Sequence, residues 1–569
     1  MNEVFDGFMD LRQGMNASRS PSLLAATQYA KGINVSVRGG LATTRPSLVL
    51  EDAELPQGLF QGAGVWSLES GDRIVAVIEG NVVTVDVDDL TVTDLGAAMA
   101  VDTQCYMTQV DRYFVIQDGS TTPVVLEEVA GVPTIRAAAH SIPAGYVMVF
   151  AHGRIHMVPQ IVPSTTVDGR PYLLSGDILE PLDPTTVLNF TETEYLAEGG
   201  AHGMPLELGN IGGLGVYRNA NTGTGVGQIM AFARNGVCSF DFSVPRSMWK
   251  SQVVSQVLFT GAGCKSPWSI VNANDDMIYR SLDGIRVLRY AISQSSGGQG
   301  ALSNVPMSIE VDPYMAVDKD HLPFISGWLA DNRCLMTAVG SIAGMFKAIV
   351  SWDLAAGYYQ GAAGPGAYDG IWTGDDFLQG VTALRQDIKT GYVFADGPVL
   401  YRQDSEAVYD GSDTKIEARL ETKAYGVGDV VTRKKLEYVE MWCSDIPMDT
   451  EIKVWYRPGG YPLWKLLGSK QIKVPSGGLY QDRRKVRISL DEYSDNCDST
   501  SGEPLYTGTE FQFAIQWTGR MTIDRFRMAV VVAADSPPDP CDEDAGVALV
   551  PSSATGEVLN DYSYRIRGS

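Results

Sequence analysis

Few residues in this chain combine types and spacings that could do chemistry. Histidine is scarce, five in 569 residues, and the nearest pair is His152 with His156. On a strand the two would share a face, as zinc ligands can, but His152 falls at an expected turn. No HExxH and no nearby carboxylate completes a ligand set, so structural or surface histidines are expected. The seven cysteines (Cys105, Cys238, Cys264, Cys334, Cys443, Cys497, Cys541) are odd in number and lack CxxC spacing. They read as small buried hydrophobes in a chain folded in a reducing cytoplasm, not as a disulfide or metal framework. Gly223-Thr224-Gly225-Val226-Gly227 looks like a phosphate-cradling loop. It precedes an expected strand instead of a helix N-terminus and lacks the Lys-Ser/Thr ending of a P-loop. No G-x-S-x-G elbow is present. The expectation is no catalytic residue, no metal and no cofactor.

Carboxylates supplied by separate β-elements could cleave a glycosidic bond, so carbohydrate chemistry is the enzyme alternative. Ser281-Leu282-Asp283-Gly284 resembles the sialidase "Asp box", S-x-D-x-G-x-x-W, but glycine comes one position early and the tryptophan is missing. A plain Asp-Gly turn accounts for it. Arg433-Lys434-Lys435 and Arg483-Arg484-Lys485 sit at expected strand starts and read as solvated edges that discourage strand pairing, with a partner protein as the alternative. The net charge of −24 argues against gripping nucleic acid, which needs cations against phosphates, and favours solubility.

The elements that must position any site are β-strands. Apolar runs meet at turn-forming pairs again and again: Arg73–Val87 at Gly80-Asn81, Arg112–Leu126 at Asp118-Gly119, Tyr146–Val158 at His152-Gly153. Gln228–Phe242 follows at Asn235-Gly236 and Asp276–Tyr290 at Asp283-Gly284. Looser copies span Arg333–Leu354 and Gly391–Asp404, the second turning at Asp396-Gly397. Such pairs tolerate the positive φ of a two-residue hairpin turn. A hairpin cannot bury its own apolar faces, so spaced copies must stack. The expected fold is all-β: a β-propeller of about seven blades (six to eight) over residues 60–410, with an insertion near 160–210 and Gly212–Arg218 as an outer strand of the fourth blade.

Cleaner period-two alternation begins beyond Asp410, as in Ile452, Val454 and Tyr456 or Phe511, Phe513, Ile515 and Trp517, and predicts a β-sandwich over 411–534. Residues 1–59 are expected to be an arm with one short helix, Pro21–Lys31, capped by Ser20 and ended by Gly32. Residues 535–569 read as a stiff acidic linker (DSPPDPCDEDAG) and an extended tail. The opening MNEVFDGFMDLRQGMN is polar and acidic, unlike a signal peptide, and the purest apolar run, Met528–Ala534, is too short to span a membrane.

The arm carries a recognisable pattern. Gly14, Pro21, Gln28, Asn34, Arg38, Gly39, Gly40, Arg45 and Pro46 fall in GMNASRSPSLLAATQYAKGINVSVRGGLATTRPSL (residues 14–48). That stretch resembles the opening of the tail nozzle, or tail tubular protein B-like, chains of short-tailed phages, where the pattern precedes a propeller. FTETEYLAEGG (190–200), the run 235–290 and RLETKAYGVGDVVTRKKLEYVEMW (419–442) have the same character. The resemblance implies a non-enzymatic virion protein, assembled in the host cytoplasm into a ring, typically of six copies, below the portal–adaptor complex. It implies an axial channel through which genomic DNA passes without tight binding, and docking of tail fibres or spikes, with no membrane insertion. A carboxylate-rich channel wall would repel phosphates and let DNA slide. The alternatives are a phage propeller that binds or degrades host-surface carbohydrate, and another tail component such as a fibre adaptor. The arm's Leu23, Leu24, Tyr29, Ile33 and Val35 need burial, and its basic Arg12, Arg19, Lys31, Arg38 and Arg45 suit an acidic neighbour. The arm is therefore expected to pack partly on its own β-domains and partly on an adjacent subunit or the adaptor, with strand addition by Ile33–Val37 as one mode.

Overall fold

The computed structural model describes residues 3–160, 171–191, 200–218, 226–249, 255–273, 276–296, 305–317, 319–356, 366–428, 431–474, 484–490 and 504–532. The apolar runs fold as antiparallel meanders. The first sheet is Phe60–Leu68, Gly71–Ile78, Asn81–Asp86 and Val92–Ala97, and the second is Tyr106–Val110, Tyr113–Gln117, Val124–Val129 and Val132–Ile135. The third is Gly145–Ala151, Arg154–Pro159, Tyr172–Ser175 and Ala201–Gly203, and the fourth Ile211–Arg218, Val226–Ala233, Gly236–Phe240 and Ser255–Thr260. Val271–Ala273, Asp276–Ser281 and Gly284–Val287 form a three-stranded fifth sheet. Gly327–Ala330, Arg333–Ile342, Met345–Asp353 and the start of the long strand Ala367–Arg385 continue the series. The second half of that long strand then pairs with Ile388–Ala395, which pairs with Val399–Asp404.

First strands of successive sheets pack side by side, and Ala367–Arg385 returns to pack on Phe60–Leu68. The series therefore closes into a ring, the arrangement of a β-propeller. Its core is divided among the gaps between sheets. Trp66, Val75 and Val77 meet Phe114 and Ile116 between the first and second sheets, and Val115 and Val125 meet Met148 and Ile155 between the second and third. Ala63, Ile74 and Ala76 meet Leu378, Val381 and Phe394 where the ring closes. Each meander buries both faces against neighbours, as stacking of hairpins requires.

Several turns differ in position from expectation. Ile78 pairs with Asn81, so the turn is Glu79-Gly80, with φ of 49° and 76°. Two positive φ values define the hairpin turn that matches strand twist, and Asn81 opens the next strand instead. By the same one-residue shift, Ala233 pairs with Gly236 and Ser281 with Gly284. Asp118-Gly119 begins a longer loop, in which the Asp118 carboxylate accepts from the Ser120 and Thr121 amides at 2.8 and 2.7 Å. His152-Gly153 turns as expected, at φ 51° and 71°. The segment near 160–210, expected to be an insertion, supplies the last two strands of the third sheet. Ile211–Arg218 is the innermost strand of the fourth sheet, not an outer one, since it packs on Gly145–Ala151.

Beyond Asp410 the strands fall into two groups. Glu417–Tyr425, Phe511–Thr518, Thr450–Pro458 and Lys465–Ile472 are neighbours in one order, and Arg484–Ser489, Lys434–Ser444 and Thr522–Val532 in another. Leu420, Val454 and Phe513 from the first group share a core with Val439, Met441, Ile488 and Phe526 from the second. The alternation predicted from sequence holds along Thr450–Pro458 and is broken at Arg419, which is buried, and along Phe511–Thr518. Gln512 and Ala514 are buried too, Gln512 donating to the Thr422 carbonyl at 2.8 Å. Lys434, expected at an edge, is buried in a central strand, its Nζ donating to the Thr432 and Thr509 carbonyls. Arg484–Ser489 is the edge strand.

The arm departs most from expectation. No helix spans Pro21–Lys31: Ser20 makes no side-chain cap, Pro21–Leu23 is a single 3-10 turn, and Leu24 is extended. Gln28–Tyr29 instead pairs with Gly14–Met15, and Lys31–Ile33 with Glu417–Tyr425. Distant strand partners override a local helical preference. Glu3–Phe8 and Ala42–Thr44 both pair with Thr522–Val532, while Ser47–Leu50 pairs with Val399–Asp404 and supplies the outer strand of the last sheet in the ring. The arm is thus part of both β-regions and not a separate unit before residue 60. The expected acidic linker and tail, 535–569, lie outside the described residues.

Candidate functional site: the N-terminal arm

The signature residues run along the arm where it packs on the ring, and at Asn34 the arm also reaches the C-terminal sheets. Ile33 lies between two strands, pairing with Ile371 of the ring on one side and Arg419 on the other. Asn34, at φ 54°, then turns the chain. Its side-chain oxygen accepts from the Thr373 amide at 2.8 Å and from Arg45 Nε at 3.0 Å. Its amide nitrogen donates to Thr373 Oγ1 and to the Glu417 carbonyl, at 3.0 and 2.9 Å. One asparagine side chain therefore ties the arm to the ring and to the first strand beyond it.

Arg45 is buried, and both terminal nitrogens bond Asp410, with Nη1 at 3.0 Å from Oδ1. Nη1 also donates to the Pro46 carbonyl at 2.8 Å, and Asp410 Oδ1 accepts from the Leu48 amide at 2.8 Å. Pro46 has no amide hydrogen to satisfy, which suits a position between an enclosed guanidinium and the strand Ser47–Leu50. Arg38 pairs with Asp353 at 2.9 Å and with Asp331 at 2.9 Å. Burial works against this cation, but the two carboxylates hold it above the ordinary arginine range.

Gly39 and Gly40 sit at φ 74° and 86°. A Cβ on Gly40 would displace the Asp10 carboxylate, and the positive φ itself favours glycine there. Gly14, at φ 76°, lets the arm approach the ring closely, since a Cβ there would lie 2.6 Å from the Tyr368 carbonyl. Gln28 donates to Glu310 Oε1 at 3.3 Å and accepts from the Ala25 amide at 3.3 Å. Pro21 opens the 3-10 turn.

Sequence reading missed the residues that receive this arm. Asp369 is fully buried in the long ring strand and accepts from the Val37 amide at 3.2 Å, Arg333 Nε at 2.7 Å and Ser351 Oγ at 3.2 Å. Arg333 Nη2 donates to Ser36 Oγ at 2.8 Å. Burial pushes the Asp369 carboxyl up, against the pull of Arg333. An acid inside the apolar run AYDGIW (367–372) was the available signal. Asp410 stands out in the sequence only as the point beyond which the alternation becomes cleaner.

Of the arm's apolar residues, Leu24, Tyr29 and Val35 are buried within the chain, whereas Leu23 is 73% exposed. Arg38 and Arg45, expected to suit an acidic neighbour, spend their charge on Asp331, Asp353 and Asp410 of the same chain. Between arm and ring lies an open cavity of about 400 Å³, lined by Gln13, Gln28, Glu310, Tyr290, Trp352 and Tyr368.

The residues first considered for chemistry are accounted for structurally. His156 is fully buried, stacks on Phe242 at 4.5 Å and has Nδ1 2.8 Å from Ser175 Oγ. Burial pushes it well below the usual histidine range, which keeps it neutral. His152 meets it edge-on at 6.4 Å. Among the described residues no group of three His, Cys, Asp or Glu is placed to hold a metal. The described cysteines, Cys105, Cys238, Cys264, Cys334 and Cys443, are free and buried. Asp283 closes its turn by pairing with Arg286 at 2.6 Å and Ser281 Oγ at 2.6 Å. Gly223–Gly225 lies outside the described residues, and Val226 opens a strand. Among those residues no helix is long and apolar enough to cross a membrane.

No family model matches the chain, and no curated protein does. Among solved structures, U3-55K is similar at 10% identity over 63% of this chain and 98% of its own, with a TM-score of 0.35. The β-propeller domain of Myceliophteria thermophila Cps50 (Swd1) is similar at 11% identity over 62% and 98%, with a TM-score of 0.34. YCF48 bound to D1 peptide is similar at 8% identity over 63% and 98%, with a TM-score of 0.32. At those scores the likeness decides nothing, and the ring rests on its own strand pairing and packing.

Proposed function

We propose that this chain is a structural tail protein of a short-tailed phage, the nozzle subunit that assembles as a ring, of six copies by the resemblance, below the portal–adaptor complex. In this reading the ring of sheets is a seven-bladed propeller, the seventh blade being completed by Ser47–Leu50, and the two C-terminal strand groups are a β-sandwich. The observation that carries the reading is the arm. The residues that match the nozzle pattern seat the arm on the ring, from Gly14 against Tyr368 to Arg45 on Asp410, and Asn34 carries the tie on to Glu417 of the C-terminal sheets. A tail component under the pressure of DNA ejection needs such a brace between its domains. A net charge of −24 gives duplex DNA no counterion-release driving force, which suits a channel that passes DNA and does not hold it. Tail fibres or spikes dock on the outside, and the particle is assembled in the host cytoplasm.

The test is reconstitution. Purified chain mixed with the portal–adaptor complex of its phage is expected to co-sediment in several copies per portal and to retain little duplex DNA at physiological salt. Failure to join the complex, or sub-micromolar and strongly salt-dependent DNA binding, contradicts the reading. A second reading, carbohydrate binding, is favoured only by the cavity beside Trp352 and Tyr368, whose size falls in the ligand-pocket range. Glycan-array binding lost in Trp352→Ala would support it.

A further inference from the structure

The outer face of the strands Arg484–Ser489, Lys434–Ser444 and Thr522–Val532 carries cations laid on aromatic rings. The register sets Lys485, Trp442 and Arg525 in one cross-strand row and Arg487, Glu440 and Arg527 in the next. Arg487 lies 3.4 Å from the Tyr438 ring centroid, Arg525 5.6 Å from Trp442, and Arg527 4.4 Å from Phe5. Arg487, Arg525 and Phe5 are exposed. Glu440 is buried between Lys485, at 2.6 Å, and Arg527. Lys485 and Arg527 thus share one carboxylate while Arg487 and Arg525 lie over rings, Glu3 being the other acid here at 2.9 Å from the Tyr438 hydroxyl, and a guanidinium over a ring keeps edge N–H groups for a second partner. Arg, Trp and Tyr are the residue types that dominate protein interfaces.

The same chain has an opposite pole. Residues 51–130 contain fifteen Asp and Glu against two Arg, whereas 411–534 contain seventeen Asp and Glu against eighteen Lys and Arg. Glu69, Asp88, Asp89 and Asp111 are exposed on strand connections at one end of the first two sheets. Ser70 Oγ bonds Glu128 at 3.0 Å and Gln109 Nε2 bonds the Ser67 carbonyl at 2.7 Å, so those connections form one continuous end.

We propose that the acidic end of the first two sheets of one copy docks on the Arg487–Trp442–Arg525 face of the next. This rests on the ring reading and names the two surfaces that close the ring. Two different patches meeting head to tail make a heterologous contact, the kind that generates rings, and Arg–carboxylate pairs set its register. Copies of net charge −24 repel unless such a complementary contact is made.

The experiment uses the full chain, alone and on the portal–adaptor complex, followed by sedimentation and electron microscopy. One variant combines Arg487→Glu with Arg525→Glu, the other Glu69→Lys with Asp88→Lys; thermal melts confirm that these surface changes leave the fold intact. Each variant alone is expected to lose association at least tenfold, and an equimolar mixture to regain it, because reversed acids then meet reversed bases in alternation. Wild-type association should weaken as salt rises. If wild type assembles and both variants assemble equally well, or mixing restores nothing, the assignment of faces is overturned while the ring reading stands. If wild type forms no ring alone or on the portal–adaptor complex, the ring reading falls and takes this proposal with it.

Discussion

The gap between the first and second sheets and the seam beneath the arm are both buried, yet they are built from opposite materials. In the gap, Trp66 packs on Phe114 at 6.1 Å amid valine, isoleucine and leucine, all contributed by residues 66–135. In the seam, Asp369, Arg333, Arg45 and Asn34 are buried together, and the partners Val37 and Asp369 are 332 residues apart. An apolar gap tolerates small errors of fit, because its attraction is non-directional. A buried ionic seam is intolerant: removing one partner strands a charge, although the intact pair adds little net stability. The seam therefore specifies where the arm, whose strands also enter the C-terminal sheets, sits on the ring more than it glues it there.

Single deletions should expose that contrast. Asp369→Ala takes from the enclosed Arg333 the buried one of its two carboxylates, leaving only half-exposed Asp331, and also frees the Val37 amide and Ser351, so a loss of about 5 kcal/mol is expected in denaturant melts. Trp66→Ala, which empties an apolar site, is expected to cost about 4 kcal/mol. Arg45→Ala is expected to cost about 3 kcal/mol, and a double-mutant cycle with Asp410→Ala should return strong coupling, whereas Trp66→Ala and Arg45→Ala should simply add. Equal costs with no coupling at the seam would erase the distinction.

The local half of the architecture was readable because its information is local. Arg73–Val87 and Tyr146–Val158 hold both strands and the turn of a hairpin within a short run, so periodicity and Gly positions sufficed. Turn positions slipped by one residue where Glu79 accepts a positive φ that favours glycine or asparagine. The arm was misread for the converse reason. Pro21–Lys31 has helix-start and helix-stop residues, but its hydrogen bonds are taken by Gly14–Met15 and Glu417–Tyr425. The signature residues were recognisable as a pattern, while Asp353 and Asp410 carried no sign of the arginines they receive from the other end of the chain, and Asp369 announced itself only as an acid in an apolar run.

Smaller effects sharpen the comparison. Asn34→Ala removes four hydrogen bonds, and about 2 kcal/mol is expected, with rescue by Asn34→Asp incomplete because the Thr373 Oγ1 and Glu417 contacts need its amide donors. In the ring, burial opposes the Asp118 charge, but the Thr121 and Ser120 bonds prevail and hold the carboxyl below its ordinary value of 3.8. A depressed folded value means the contribution is present above pH 3.8 and is lost as pH falls through the folded value, so Asp118→Asn should flatten the acid limb of the stability curve below 3.8. An unchanged acid limb would contradict that assignment.

The central claim is that the arm makes the ring and the C-terminal sheets one cooperative unit, and calorimetry tests it directly. The wild-type chain is expected to unfold in a single transition. Arg45→Ala should split that transition into two, one for each β-region, while Trp66→Ala lowers a single transition as a whole. If Arg45→Ala also shifts one undivided transition, the arm is merely packed on the surface of both regions and the seam does not couple them.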